Sequence, residues 1–295
     1  MSVEIAIGDG TNGVHSRAAL LSHAAPADTG KAIETAVAAA RAAGVELVST
    51  LEETGAIDSA LEGLRIADEL PADVDLSLAL GGDGTILRSL RRYTGTGVPT
   101  FGINYGTIGF LAASEEDALD RALVAALEGE FEVLSLPGLQ VDIGGFRGLA
   151  FNDVTFARRP HKRVAELSYR LGGREVGHVR CDGLVAATPV GSTGYNLANG
   201  GPILAWGVAG YAVSFIAPHT LTARALVVAP DDVLHVHNLG EIDSADVALD
   251  GVPVGNLGPG DEIEVRFVDG VAALAQLPGA NFYRRIREKF GQLAG

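Results

Sequence analysis

Cysteine, tryptophan and methionine each occur once in the 295 residues, and only three lysines are present, Lys31, Lys162 and Lys289. A single thiol, Cys181, excludes an internal disulfide and any multi-cysteine zinc cluster, which agrees with a reducing compartment. No run of about 18 apolar residues occurs, so no membrane-crossing helix is expected. The start, Met1-Ser2-Val3-Glu4, lacks the basic and apolar regions of a signal peptide, and the expectation is a cytoplasmic protein without a membrane attachment. Positive charge is scarce as well. A formal net charge of −15 disfavours nucleic-acid or anionic-membrane partners, which need a positive field. A small anionic substrate would need locally basic or cation-assisted binding.

What remains is ordinary globular composition, 47% hydrophobic and 20% charged with 39 glycines, long enough for two domains at roughly 150 residues each. Val3-Glu4-Ile5-Ala6-Ile7 reads as a first strand. Residues 30–43 read as an alanine-rich helix stopped by Gly44, and Val45-Glu46-Leu47-Val48 as the next strand. Asp75 to Leu80 is a third apolar run that ends at the glycines 81–84, with a helix over 86–93 leaving that turn. Pro99 to Asn104 makes another strand, followed by a helix over 115–128. This βαβ rhythm predicts an N-terminal Rossmann-like α/β domain over 1–135. Beyond it the pattern changes to short alternating segments, such as Leu139 to Ile143, Leu149 to Phe156, Val164 to Leu171 and Leu184 to Thr188, which predict a β-rich domain over 136–277. Helical spacing returns at 281–290, and a C-terminal helix within about 278–295 is expected to pack back on the first domain.

The sharpest chemical signal is Gly81-Gly82-Asp83-Gly84-Thr85. A strand ending in these glycines presents backbone amides unshielded by side chains, and the helix that follows adds its positive N-terminal dipole, so a phosphate fits there. Asp83 would repel that phosphate unless it takes a proton or a hydrogen bond from a hydroxyl beside it, the role of a general base in phosphoryl transfer. A helix-capping aspartate is the competing reading. Gly8-Asp9-Gly10-Thr11-Asn12-Gly13 also matches a dinucleotide-binding G-x-G-x-x-G. The acid expected about 20 residues on should close a second strand, yet that strand starts only at Val45, which favours a plain glycine-rich turn. No G-x-x-x-x-G-K-[ST] is present, so an ordinary P-loop is excluded.

Residues 188–202 crowd hydroxyls, amides, a phenol and glycines into one turn after a strand, the groups that adenine recognition needs. Ser192 is not set in a nucleophile elbow, because Val190 stands where G-x-S-x-G requires glycine. Asn152-Asp153 lies inside a β segment, where both residue types are depleted. It reads as a ligand-facing pair, with a bulge or turn as the alternative.

Taken in order, GGDGTIL at 81–87, GINYGTIGFL at 102–111, FNDV at 151–154, CDGLVAATPVGSTGY at 181–195, GGPI at 200–203 and APHTLTARALVV at 217–228 resemble the NAD kinase family. The resemblance implies phosphorylation of the adenosine 2′-hydroxyl of NAD, with ATP or polyphosphate as donor and Mg²⁺ or another divalent cation. It also implies a nucleotide held between an α/β and a β-rich domain, and a homodimer or homotetramer. Asp83 would be the general base, Gly81 and Gly82 would bind phosphate, and Gly84 and Thr85 would contact substrate. Phe110 would line the adenosine end, and Asn152 and Asp153 would hold ribose and pyrophosphate. Thr193 and Tyr195 resemble the adenine contacts. Asp182 with Arg180 resembles a pair reaching the nicotinamide part from a neighbouring subunit, and Asp250 belongs to a further turn near the site. Asp153 stands where the family usually has glutamate, Gly194 where it has alanine, and Val190 where it has a small polar residue. GGDG also occurs in lipid and sugar kinases, which lack the 188–202 block. A kinase of that kind, or a non-catalytic NAD(P)-binding sensor, is the alternative function.

Arg158-Arg159-Pro160-His161-Lys162-Arg163 is the densest basic patch, read either as a phosphate attractor or as a solvated hairpin tip. His235 and His237 share a strand face without a third metal ligand in view and read as structural. His219 reads as a loop-fixing group, and Cys181 as a space filler beside Asp182.

Overall fold

The computed structural model describes residues 15–22, 26–54, 62–105, 109–115 and 118–291, and the chain divides into two compact units, 1–135 with 271–295, and 136–270. The expected strand Val3–Ile7, the glycine motif 8–13 and Gly106-Thr107-Ile108 lie outside the described residues.

The first unit carries β1 (Arg17–Ser22), α1 (Pro26–Ala43), β2 (Glu46–Ser49), a one-turn α2 (Leu51–Thr54), β3 (Leu64–Ile66), β4 (Leu76–Leu80), α3 (Asp83–Arg92), β5 (Pro99–Asn104), the short β6 (Ser114–Glu115) and α4 (Leu119–Leu127). The strands pair in parallel in the order β5-β4-β1-β2-β3. Parallel strands covered on both faces need near-continuous apolar runs, and all five residues of β4 are buried. β1 also escaped the sequence reading for this reason. Ala18, Ala19, Leu20 and Leu21 are all buried, so no alternation marks them, and β1 pairs with both β2 and β4.

Helix α1 buries Ala32, Ile33, Ala36, Val37 and Ala40, one stripe at helical spacing. It stops at Gly44, whose φ of +72° lets the Gly44 and Val45 amides return to the carbonyls of Arg41 and Ala40, a glycine-dependent C-cap. Strand order reverses at β1 and β4, and in open α/β sheets ligands bind outside the carboxyl ends of the strands at such a reversal. The carboxyl end of β4 is Leu80, directly before the glycine turn.

The second unit is antiparallel. β7 (Glu132–Ile143) and β8 (Phe146–Ala150) form a hairpin, followed by β9 (Asp153–Arg158), β10 (Ala165–Leu171), β11 (Arg174–Cys181), β12 (Gly183–Ala187), a one-turn α5 (Tyr195–Ala198), β13 (Tyr211–Ile216), β14 (Leu226–Val228), β15 (Leu234–Asn238), β16 (Ala245–Leu249), β17 (Val252–Leu257) and β18 (Glu262–Gln276). One sheet runs β14-β13-β12-β9-β16-β17, and a second group runs β11-β10-β15 onto the first residues of β18. Their inward residues, among them Val154, Phe156, Leu184, Ala186, Val213 and Val247, make a single apolar core with Leu167, Val236 and Val265. The chain re-enters the first unit at Val271, ahead of the position near 278 read from the sequence, because Ala273–Ala275 pairs in parallel with β5. α6 (Phe282–Phe290) then starts at an Asn281 N-cap, whose side chain accepts from the Tyr283 amide, and belongs to the first unit. Among the described residues no helix is long and apolar enough to cross a membrane.

Candidate active site

In the first unit, α3 is fixed by packing before any chemistry is considered. Ser89 on the helix is hydrogen-bonded at 2.8 Å both to Ser77 of β4 and to Thr100 of β5, all three buried. Gly102 admits the helix closely, since a Cβ there would lie 2.4 Å from Ile86 Cδ1. Gly81 is equally constrained, because its Cβ would lie 2.4 Å from the Thr85 hydroxyl. Thr85 is therefore buried behind the turn, while Gly82 and Asp83 are half-buried and Gly84 is exposed. The Gly81 amide donates to the Ile103 carbonyl and the Thr85 amide to the Gly82 carbonyl, which leaves the amides between them at the start of a helix and the carboxyl end of a strand, an anion-binding arrangement.

Asp83 is the first residue of α3 and makes no capping hydrogen bond, since the N-cap is Gly82. The capping reading is thus replaced by another contact. Its two carboxylate oxygens accept the backbone N–H groups of Phe110 (2.8 Å) and Leu111 (3.1 Å). The same two residues are held by their carbonyls as well, Phe110 by Arg285 Nη1 and Leu111 by Gln276 Nε2. Gly109 must be glycine, because a Cβ there would sit 2.0 Å from Asp83 Oδ1. The Lys289 ammonium lies 3.9 Å from the centroid of the Phe110 ring. The glycine turn, Asp83 and Phe110 are thus brought together. Gly109, Gln276, Arg285 and Lys289 were not singled out from the sequence. Their one available signal was position: Gly109 inside the 102–111 block, and Lys289 as one of three lysines.

In the second unit, Asn152, Asp153, Asp250 and the 188–196 turn converge. Asp250 has φ +47°, and its carboxylate accepts three successive amides, those of Phe151, Asn152 and Asp153, at 3.0, 2.6 and 3.0 Å. This clamp bends the backbone into β9 and leaves the Asn152 side chain half-buried and without a hydrogen bond among the described residues. Asp153 is buried, and burial pushes its carboxyl up to about 6, with the Thr155 hydroxyl opposing and the neighbouring Asp250 charge reinforcing the shift. The Thr188 amide and hydroxyl return to the carbonyls of Asn152 and Phe151, and Gly191 packs so closely that a Cβ there would lie 2.0 Å from the Asn152 carbonyl oxygen.

Ser192 is fully buried and donates to the Pro189 carbonyl while accepting the Leu204 amide, so its hydroxyl braces the turn. Asn196 donates to the carbonyls of Ser192 and Pro202, and Gly201 closes over its side-chain oxygen. Thr193 is half-buried and bonded to the Val190 carbonyl, and Tyr195 is 43% exposed. The turn thus spends Thr188, Ser192 and Asn196 on its own shape and presents Tyr195 outward.

Arg180 and Asp182 do not pair with each other. Asp182 takes both ends of the Arg158 guanidinium, which holds its carboxyl below the usual range, whereas Arg180 pairs with Glu166 at 3.1 Å. Arg159 pairs with Asp246 and Lys162 with Asp243, so three cations of the basic patch already have carboxylate partners. His235 lies beside Glu262 and Glu264, and His237 bonds the Gly260 carbonyl. Cys181 is buried and its thiol is pushed up to about 11 by burial.

Comparison with known proteins agrees along most of the chain. A family model described as the ATP-NAD kinase N-terminal domain matches residues 31–131, and one described as the ATP-NAD kinase C-terminal domain matches residues 151–276. The NAD kinase of Symbiobacterium thermophilum is 36% identical over 261 residues, covering 83% of this chain and 92% of that protein. The NAD kinase of Rhodopirellula baltica is 37% identical over 74% of this chain and 72% of its own length. Among solved structures, yeast NADH kinase complexed with NADH superposes with a TM-score of 0.82 at 21% identity, covering 95% of this chain and 88% of that one. An NAD kinase from Archaeoglobus fulgidus in complex with ATP gives 0.70 at 26% identity, covering 92% and 98%.

Proposed function

The chain belongs to the NAD kinase family, and from this we propose that it transfers the terminal phosphoryl group of ATP to the adenosine 2′-hydroxyl of NAD, giving NADP. The observation that carries the assignment of roles is the Asp83 carboxylate at the start of α3, fixed at the carboxyl end of β4 by the Phe110 and Leu111 amides. Two lone-pair sites per oxygen leave acceptor capacity beyond those two amides, so the carboxylate can take a hydroxyl proton without releasing the loop. In the step itself, the 2′-oxygen forms a bond to the terminal phosphorus, the bond from that phosphorus to the bridging oxygen breaks, ADP leaves, and the hydroxyl proton passes to Asp83. The chain's contribution is positioning and charge, as in phosphoryl transfer generally.

Gly82 and Gly84 offer backbone amides to phosphate, with Thr85 bracing the turn; Gly81, expected from the sequence to join them, instead donates its amide to the Ile103 carbonyl at 3.0 Å and shapes the turn. Phe110 supplies an apolar wall at the adenosine end. Asn152 and Asp153 hold the acceptor's ribose and pyrophosphate, and Asp250 positions both through its three amide contacts. Thr193 and Tyr195 face adenine, and Asp182 with Arg180 contacts the nicotinamide part in an oligomer, a dimer or tetramer of this chain. The relative solved with ATP supports ATP as donor; polyphosphate is the alternative donor.

Among the described residues no group of three or more His, Cys, Asp or Glu side chains is arranged around a metal position. Magnesium carried on donor phosphates needs only one or two carboxylates besides water and phosphate oxygens, and Glu115, on the cavity wall beside the Phe110 loop, would be one to hold it. When bound, the ion neutralises the donor's phosphate oxygens. The test is a coupled assay of NADP formation from NAD with ATP, with polyphosphate and, as acceptor control, with diacylglycerol in place of NAD. NADP formed with ATP supports the proposal, and phosphorylation of the lipid without NADP overturns it.

A further inference from the structure

Within the first unit, a cavity of about 340 Å³ opens beside the Phe110 loop, lined by Gly109, Ser114, Glu115, Arg284, Arg285 and Lys289. In a chain of net charge −15 with three lysines, three cations on one helix facing one cavity are a local reversal of sign. Their situations differ. Arg285 is spent on structure, since it donates to the Phe110 carbonyl and to Gln276 Oε1. Lys289 makes no ion pair among the described residues; its ammonium rests on the Phe110 ring. The charges of Asp83 and Glu115 both act on that ammonium, while burial pulls its pKa below the ordinary lysine value. A half-buried lysine over an aromatic ring, within the field of the carboxylate proposed as base, has its charge held by a ring face and by no ion pair or hydrogen bond among the described residues.

We propose that Lys289, together with Arg284, binds the phosphate chain of the phosphoryl donor beside Asp83, so that α6 forms part of the donor site. The inference rests on the kinase reading for the identity of the ligand and extends it to residues outside the recognised motifs. The cavity is at the small end of the roughly 300–1,000 Å³ typical of ligand pockets, which suits a few phosphate groups better than a whole nucleotide. Lysine is a compact point charge suited to phosphate. A phosphate there would give the half-buried ammonium a charged hydrogen-bond acceptor beside the Phe110 loop.

The experiment measures binding of inorganic triphosphate by calorimetry and steady-state kinetics with ATP and NAD, on the full chain, for wild type, Lys289→Met, Lys289→Arg and Arg284→Gln. Methionine keeps the length and the packing on Phe110, and Arg284 is exposed, so its change leaves the core intact. The expected result for Lys289→Met is at least tenfold weaker triphosphate binding and a KM for ATP raised to match, with KM for NAD within twofold of wild type. Arginine at 289 recovers most of the loss, and Arg284→Gln weakens triphosphate several-fold. Triphosphate affinity within twofold of wild type in both Lys289→Met and Arg284→Gln overturns the proposal, as does a wild type that does not bind triphosphate. A wild type that binds triphosphate through Lys289 but forms no NADP would instead contradict the assigned reaction while leaving the polyphosphate site in place.

Discussion

Asp83 and Phe110, 27 positions apart in the chain, are joined by a 2.8 Å hydrogen bond from the Phe110 amide to the Asp83 carboxylate. The bond makes the orientation of the Asp83 carboxylate dependent on a loop outside the glycine turn. Arg285 grips the same residue through its carbonyl, so Asp83, loop and terminal helix form one chain of contacts.

Gly109→Ala tests that dependence. The added carbon would sit 2.0 Å from Asp83 Oδ1, so carboxylate or loop must move. A displacement on the order of 1 Å at a reacting group costs roughly a hundredfold in rate. Turnover of NADP formation should fall by about that factor, with the thermal unfolding midpoint within a few degrees of wild type. Wild-type turnover in this variant would show that the carboxylate position is not critical.

Asp250→Asn tests the clamp on Asn152-Asp153. Asparagine tolerates positive φ but brings one acceptor oxygen in place of two, and the carboxylate serves three amides. At least one partly buried amide loses its acceptor, at a cost of about 1–3 kcal/mol. Urea denaturation should show that loss, and KM for NAD should rise more than KM for ATP.

Asp153 gives a pH signature. Its carboxyl sits at about 6 in the folded chain against an ordinary 3.8, so between those values the folded state holds more protons than the unfolded one. Stability contributed by this residue is therefore greatest below about pH 4 and declines as pH rises through about 6. Two pKa units correspond to about 3 kcal/mol at most. Denaturation midpoints measured from pH 4 to 7 should fall less steeply in Asp153→Asn than in wild type; parallel curves would refute the shift.

Ser192→Ala separates bracing from nucleophilic chemistry. The hydroxyl accepts the Leu204 amide at 2.9 Å in a fully buried setting, so its removal should cost about 1–3 kcal/mol of stability. Turnover, measured well below the melting temperature, should stay within about threefold of wild type. A loss of several orders of magnitude would give Ser192 a chemical role.

The glycine turn was legible in the sequence because its signal is local: apolar run, glycines, helix. The 188–202 block was legible for the same reason. What Asp83 does in the fold was not, since its partners Phe110 and Leu111 come from another strand connection and offer only backbone amides, which no sequence pattern marks. Asp250 was placed near the site by resemblance, yet its three-amide clamp is visible only in space. β1 was missed because Ala18 to Leu21 is buried on both faces and shows no period. The basic patch read in sequence as either a phosphate attractor or a solvated hairpin tip, and the carboxylates that pair with Arg158, Arg159 and Lys162 could not be seen there because they lie 24, 87 and 81 positions away.

The most direct test of the account is NADP formation by wild type and Asp83→Asn under saturating ATP and NAD. Asparagine keeps the size of the side chain but cannot take the hydroxyl proton. The account predicts turnover reduced by several orders of magnitude, on the order of 10²–10⁴-fold for loss of a general base, with NAD affinity retained in equilibrium binding. Equal turnover in the two proteins would contradict it.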